Sequence, residues 1–388
     1  MKPLAALMLS LVLLPWAAAA ETRIDVTYLH VETPQPPVLS NLDPEPADLG
    51  LAGAQLAQQD NATTGRFLGH VYTVDAVSIP LDQDPLAAAR QALTGTDLLI
   101  VDAPADVLLA IADLPEAAKA LIFNTSAEDI SLRSQDCRAN ILHSAPSLAM
   151  RTDALAQFLV KRRWTKLAMI EGSHPEDMAF ATALEHSAEK FGLKIGARKT
   201  WAFDADMRRQ AAQEVPLFTQ DLGTYDALLV ADETGDFGRY IAYNTWLPRP
   251  VAGSEGLTAT AWAPVVEQWG AAQLQSRFRA LTGRQMHPQD YAAWAALRSI
   301  GEAVTRGATS DAPTLHKFLM SADFELAGFK GRPLTYRAWN GQLRQPIPLT
   351  HPRALVTQAP LEGFLHQRTE LDTLGLDAPE SDCAAYAA

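Results

Sequence analysis

The residues able to do chemistry gather in short polar turns that follow apolar runs. The clearest turn is Glu171-Gly172-Ser173-His174-Pro175, which closes the run Leu167-Ala168-Met169-Ile170. Ser173 and His174, with Asp232 at the end of "YDALLVADE", have the residue types of a hydrolytic triad. The chain offers neither the Gly-x-Ser-x-Gly elbow that exposes a nucleophile nor a defined oxyanion hole, and it carries no glycine-rich phosphate fingerprint. Its two cysteines, Cys137 and Cys383, lack Cys-x-x-Cys or His-x-x-x-His company, which disfavours a metal site. The polar turns therefore read as lips of a binding cleft, and the expectation is a protein without catalytic residues, metal or catalytic cofactor.

The elements that must carry such turns alternate along the chain. Four apolar residues bounded by glycine suit a strand buried on both faces, Ser173 can cap the following helix, and Pro175 and Glu176-Asp177 suit its first turn. Parallel sheets place ligands at such strand-to-helix turns. The same alternation runs through "RIDVTYLHVE", "PADLGLAGAQLAQQD", "HVYTVDAVSI", "PLAAARQAL", "DLLIVDA", "PADVLLAIADL" and "KALIFNTS". A second series begins with the helix "LAMRTDALAQFLVKRRW" and continues through "KIGARKTWAF", "RRQAAQEVPLFTQ", "YDALLVADE", the expected helix "FGRYIAYNTW" and the strand "RPVAG". The pattern predicts an α/β fold with two parallel lobes, residues 21–145 and 146–260. Residues 261–350 then supply helices and a hairpin, marked by Asn340-Gly341, that revisit both lobes, and 351–388 form a C-terminal segment. Repeated crossings would make a hinge over a cleft.

Composition sets the surroundings. A length of 388 residues, with 48% apolar and 20% charged residues, suits two domains with substantial cores. The net charge of -13 makes nucleic acid or an anionic membrane an unsuitable partner, although local cations can still hold an anionic small ligand. Residues 1–20 read as a signal peptide, with Lys2, an apolar Leu4 to Leu14 and small residues Ala17 to Ala20. No cysteine lies beside the cleavage site and no later segment is long enough to span a bilayer, so the expectation is a free periplasmic protein without membrane insertion. In that oxidising compartment Cys137 and Cys383 either form one bridge or stay as two thiols.

Several of these segments carry a resemblance. The strand-turn-helix "LAMIEGSHPEDMAFATALEHSAEKFG", the "YDALLVADE" strand, "PVAGSEG", "HPQDYAAWAALRSIGEAV" and "FKGRPLTYRAWNGQLRQPI" together resemble a periplasmic solute-binding protein of the branched-chain amino acid type, across nearly the whole mature chain. The resemblance implies a two-lobed type I periplasmic binding protein fold, parallel sheets flanked by helices, and an ABC transporter permease as partner. A narrower similarity, in "CRANILHSAPSLAMRTDALAQFLVKRRW", "GSHPED", "RPVAGSEGL", "EQWGAAQLQSRF" and "EGFLHQRTELDTLG", is to solute-binding proteins that accompany pyrroloquinoline quinone (PQQ)-dependent alcohol dehydrogenase systems. It implies PQQ or a related planar acid as bound ligand and a quinoprotein dehydrogenase as a further partner, by uptake, delivery or sensing. An amino-acid or aromatic-acid receptor of the same fold is the alternative.

The general family holds amino acids on Ser- and Thr-rich turns of the first lobe and an acidic residue of the second. Here the turn after the third strand is Asp102-Ala103-Pro104, without serines, whereas Asn124-Thr125-Ser126 and Ser254-Glu255-Gly256 keep the polarity. A flat tricarboxylate needs forked cations and aromatic faces. Arg133, Arg138, His174 and Trp262 are of suitable type. Each has a plain structural alternative: solvated loop arginines, a helix cap for His174 and a core position for Trp262. Asp232 and Glu233 either orient a polar ligand group or cap "TGDFGRY".

Overall fold

The computed structural model describes residues 21–34, 44–201 and 207–386, so the expected signal peptide lies outside the described residues. Continuous apolar runs become central strands. β1 (Thr22–Val31) lies between β2 (His70–Ile79) and β3 (Leu98–Asp102), followed by β4 (Leu121–Asn124) and β5 (Ile141–His143), in the parallel order β2-β1-β3-β4-β5. Helices α1 (Leu51–Leu68), α2 (Pro85–Leu93) and α3 (Ala105–Ala112) connect them. Asp84 starts α2 by accepting a hydrogen bond from the Leu86 N–H, with Pro85 in the first turn.

The chain then builds a second sheet. It runs through α4 (Leu148–Arg162), β6 (Lys166–Glu171), α5 (Pro175–Lys190), β7 (Lys194–Thr200), α6 (Met207–Thr219), β8 (Ala227–Ala231), α7 (Gly238–Ile241), β9 (Val251–Gly253) and β10 (Leu257–Ala259). The helix expected over "FGRYIAYNTW" is only the single turn α7, and Tyr243 just beyond it takes a left-handed φ of 72°.

Next the chain returns to the first lobe. α8 (Ala271–Thr282), α9 (Pro288–Gly307) and α10 (Ala312–Leu319) share one core with α1 and the first sheet, centred on Trp294, Tyr291, Ile24 and Phe123. α1 meets α9 at backbone distance, because a Cβ on Gly53 would lie 1.8 Å from the Asp290 carbonyl oxygen. β11 (Leu326–Ala327), β12 (Pro333–Tyr336) and β13 (Leu343–Arg344) form a small sheet. The Asn340-Gly341 pair sits at the end of the long β12–β13 loop rather than forming a two-residue turn, since the closest pairing is Tyr336 with Leu343.

A further crossing leads to β14 (Ile347–His351) and β15 (Ala354–Ala359), which extend the second sheet antiparallel to the order β15-β14-β10-β9-β8-β6-β7. This second hairpin turns on Pro352-Arg353, inside what the sequence reads as the start of a C-terminal segment. Three crossings thus join the lobes, after β5, after β10 and after β13.

The tail makes a fourth connection. Leu374 is buried in the second-lobe core, and the Gly375 N–H donates to Asp153 Oδ2 at 2.8 Å. Farther on, Ser381 Oγ donates to the Arg133 carbonyl at 2.8 Å, and Cys383 forms a disulfide with Cys137 in the first lobe. The bridge closes a sequence separation of 246 residues. Its reduction is expected to lower the unfolding free energy by about 2–5 kcal/mol. Urea unfolding with and without reductant checks this, and unchanged midpoints would contradict it.

Candidate functional site

The carboxyl ends of both sheets open into one cleft of about 960 Å³, lined from both lobes and at the hinge by Ala145, Pro146, Thr260 and Ala261. Its volume is that of a small-molecule site. On the first lobe the lip is built from the ends of β3 and β4. Asn124 is fully buried, and its Oδ1 accepts the Ala127 N–H at 3.0 Å while its Nδ2 donates to the Ala127 carbonyl at 2.7 Å. That side chain folds the turn Thr125-Ser126-Ala127 but does not line the cleft. Ser126 Oγ accepts from the Ala103 N–H at 3.1 Å, tying this turn to the one after β3. Thr125, Ser126 and Asp102 do line the cleft. Asp102 Oδ2 accepts from Tyr28 Oη at 3.1 Å and lies 3.0 Å from His30 Nδ1, a hydrogen bond that raises the His30 pKa.

Arg133 does not line the cleft. Its guanidinium is 1% exposed and donates to Gln342 Oε1 at 2.8 Å and to the carbonyls of Ala127, Asp129 and Ala145 at 2.8, 3.0 and 3.0 Å. Burial pulls its pKa down to about 10, which still leaves it charged at neutral pH. Burial, with Arg133 nearby, likewise pushes the His143 pKa well below the ordinary imidazole value. Arg138 faces outward and pairs with Asp113 at 2.6 Å.

On the second lobe, Glu233 and Ser254 line the cleft. Asp232 does not, because its carboxylate accepts the N–H groups of Asp236, Phe237 and Gly238 at 2.9, 2.9 and 2.5 Å and so starts α7. Glu255 packs over Gly238 outside the cleft, where burial raises its pKa. Ser173 is exposed, and the exposed His174 pairs through Nε2 with Asp236 at 2.8 Å. His174 and Asp232 meet Asp236 at different atoms, the side chain and the backbone N–H, so the carboxylate of Asp232 is spent on backbone donors rather than on the imidazole. Trp262 is 2% exposed in the first-lobe core, stacked on Tyr291 with ring centroids 4.8 Å apart and its Nε1 donating to Gln275 at 3.2 Å.

The residue that sequence reasoning missed is Arg151, in the first turn of α4. Its Nη1 lies 2.5 Å from Glu128 Oε2 and 2.7 Å from Glu233 Oε2, its Nη2 lies 3.1 Å from Glu233 Oε1, and its Nε donates to the Ala259 carbonyl at 3.1 Å. Burial opposes its charge, but the carboxylates of Glu128 and Glu233 outweigh that and hold its pKa above the ordinary value. Glu128 belongs to the first lobe and Glu233 to the second, so the triad spans the cleft. One signal was available: a cation in the first turn opposes the helix macrodipole and needs nearby anions.

No protein-family model matches the chain, and a comparison with curated proteins finds no match. Solved structures do match. The branched-chain amino acid ABC transporter periplasmic ligand-binding protein of Burkholderia xenovorans superposes with a TM-score of 0.71 at 16% identity, covering 94% of this chain and 100% of that one. The fold is that of the type I periplasmic binding proteins. The leucine-, isoleucine-, valine-, threonine- and alanine-binding protein of Brucella ovis, in a closed conformation, gives 0.67 at 15% identity over 94% of this chain and 99% of that one. A solute-binding protein of an R. palustris ABC transporter, in complex with benzoate, gives 0.63 at 12% identity over 94% and 100%. Among the described residues, no helix is long and apolar enough to cross a membrane.

Moving the expected ligand contacts into the framework changes what their removal does. Arg133→Met, which leaves buried carbonyls unpaired, is expected to cost about 3 kcal/mol or more of folding stability. Trp262→Ala is expected to cost about 3–5 kcal/mol through its cavity, and Arg138→Ala less than about 1 kcal/mol as an exposed pair. Urea unfolding ranks the three, and an Arg133→Met midpoint equal to wild type would contradict the assignment.

Proposed function

We propose that this protein is an exported, periplasmic receptor that captures a small solute between its lobes and presents the closed form to an ABC permease, without turnover. The observation that carries the reading is the cleft itself, at the carboxyl ends of both sheets, with side chains of both lobes facing one space and three chain crossings as its hinge. A ligand touching both lobes stabilises closure by its differential affinity for the closed form. The structural neighbours, a periplasmic ligand-binding protein of a branched-chain amino acid ABC transporter and a solute-binding protein in complex with benzoate, agree with it.

Cleft charge guides the choice of solute. Among the described residues, seven carboxylate residues line it, Glu45, Asp102, Asp106, Glu128, Asp129, Glu176 and Glu233, against one arginine and one histidine. The guanidinium of Arg151 is already matched by two glutamates. A tricarboxylate such as PQQ would meet mostly like charge, whereas an amino acid or an aromatic monoacid needs a single cation. We therefore place an amino acid or aromatic acid first. The narrower sequence similarity and the size of the cleft support PQQ as the second reading, with a quinoprotein dehydrogenase as the recipient in that case.

Isothermal titration of the mature chain with L-leucine, benzoate and PQQ tests this. The expected result is one equivalent of an amino or aromatic acid bound and recovered unchanged, with a weak quinone response. A quinone response alone moves the assignment to the cofactor, and no binding by amino acids, aromatic acids or quinone contradicts the receptor reading.

A further inference from the structure

The two glutamates on Arg151 are held very differently. Glu233 meets the guanidinium with both oxygens, its Oε1 also accepts from Ser254 Oγ at 2.7 Å, and its backbone N–H donates to Asp177 Oδ1 at 2.7 Å. Arg151 itself is fixed by the Ala259 carbonyl and packs its guanidinium 4.9 Å from the centroid of the Phe180 ring. Glu128 reaches Arg151 from the opposite lobe through a single oxygen, Oε2. Among the described residues, its other hydrogen bond is at the backbone carbonyl, which accepts from the Leu148 N–H at 2.8 Å. Burial raises the Glu128 pKa despite Arg151, while for Glu233 the contacts to Arg151 and Ser254 outweigh burial and lower it. The fork to Glu233 is thus a fixed mount for Arg151, and the link to Glu128 is a replaceable one.

We propose that the solute is a zwitterion that inserts into the Glu128–Arg151 ion pair, its carboxylate taking the place of Glu128 on Arg151 Nη1 and its ammonium taking the freed Glu128 carboxylate. The inference rests on the receptor reading above and names its ligand class. One ion pair becomes two, Arg151 with the carboxylate and Glu128 with the ammonium, so no charge is left buried without a partner. The insertion also joins the lobes, since Glu128 lies on the first and Arg151 on the second. The resemblance implies first-lobe hydroxyls and a second-lobe acid as contacts, whereas here the acid comes from the first lobe and the cation from the second.

A thermal-shift screen of the standard amino acids on the full mature chain selects a parent compound. Its affinity is then compared with those of its primary amide and its desamino acid. Wild type is expected to prefer the parent over both by about tenfold or more, the worth of one charge-assisted hydrogen bond. Glu128→Gln should lose the preference over the desamino acid and keep the preference over the amide. Arg151→Gln should do the reverse, and Lys194→Ala, on the surface, should match wild type. Equal weakening of all three compounds by either variant would show a merely structural role and overturn the insertion. No response to any amino acid overturns it as well, and a benzoate or quinone response in the same protein then leaves the receptor reading standing.

Discussion

A buried guanidinium at the hinge is the constraint on which the cleft depends. Arg133 must satisfy its donors away from water, and it does so on the carbonyls of Ala127 and Asp129, which bracket Glu128, and of Ala145 at the first crossing. Gln342, which accepts from Arg133 Nε, also donates to the carbonyls of His143 and Ala145 at 3.2 and 2.9 Å. One cation therefore locks the first-lobe lip to the end of the β12–β13 loop and to the start of the hinge. The tail adds to the same knot, because the Arg133 carbonyl accepts from both Asn340 and Ser381. The disulfide holds that tail in place.

The electrostatics of the cleft follow from this framework. With the 127–129 backbone fixed, the Glu128 side chain is directed to Arg151, and Arg151 is mounted on Glu233. The turn after β6 serves the same end at a distance. Gly172 leaves room for Asp177, since a Cβ there would lie 2.0 Å from Asp177 Oδ2, and Asp177 in turn receives the Glu233 N–H. The polar turn around Ser173 and His174 does not line the cleft and is linked to it through Asp177.

Most of the fold was legible in the sequence because central parallel strands are continuous apolar runs with polar ends. "DLLIVDA" and "YDALLVADE" show this, and their ends do reach the cleft at Asp102 and Glu233. What was not legible is which way a polar side chain turns. Asp232 and Glu233 are adjacent, yet one starts a helix and the other faces the cleft. Arg133 looked like a ligand-binding or solvated loop cation because its acceptors come from segments up to 209 residues away. Trp262 follows a cleft-side strand but its ring turns into the first-lobe core. Arg151 was hidden in a strong helical pattern, and β15 in a stretch whose partner strand lay inside the preceding segment.

The most direct test of the account is hydrogen exchange of the mature chain with and without saturating L-leucine, benzoate or pyrroloquinoline quinone. Closure on a solute predicts simultaneous added protection of residues 125–129 on the first lobe and of the segments around Arg151 and Glu233 on the second, with whichever compound binds. Protection confined to one lobe, or binding that leaves these segments unchanged, would contradict it.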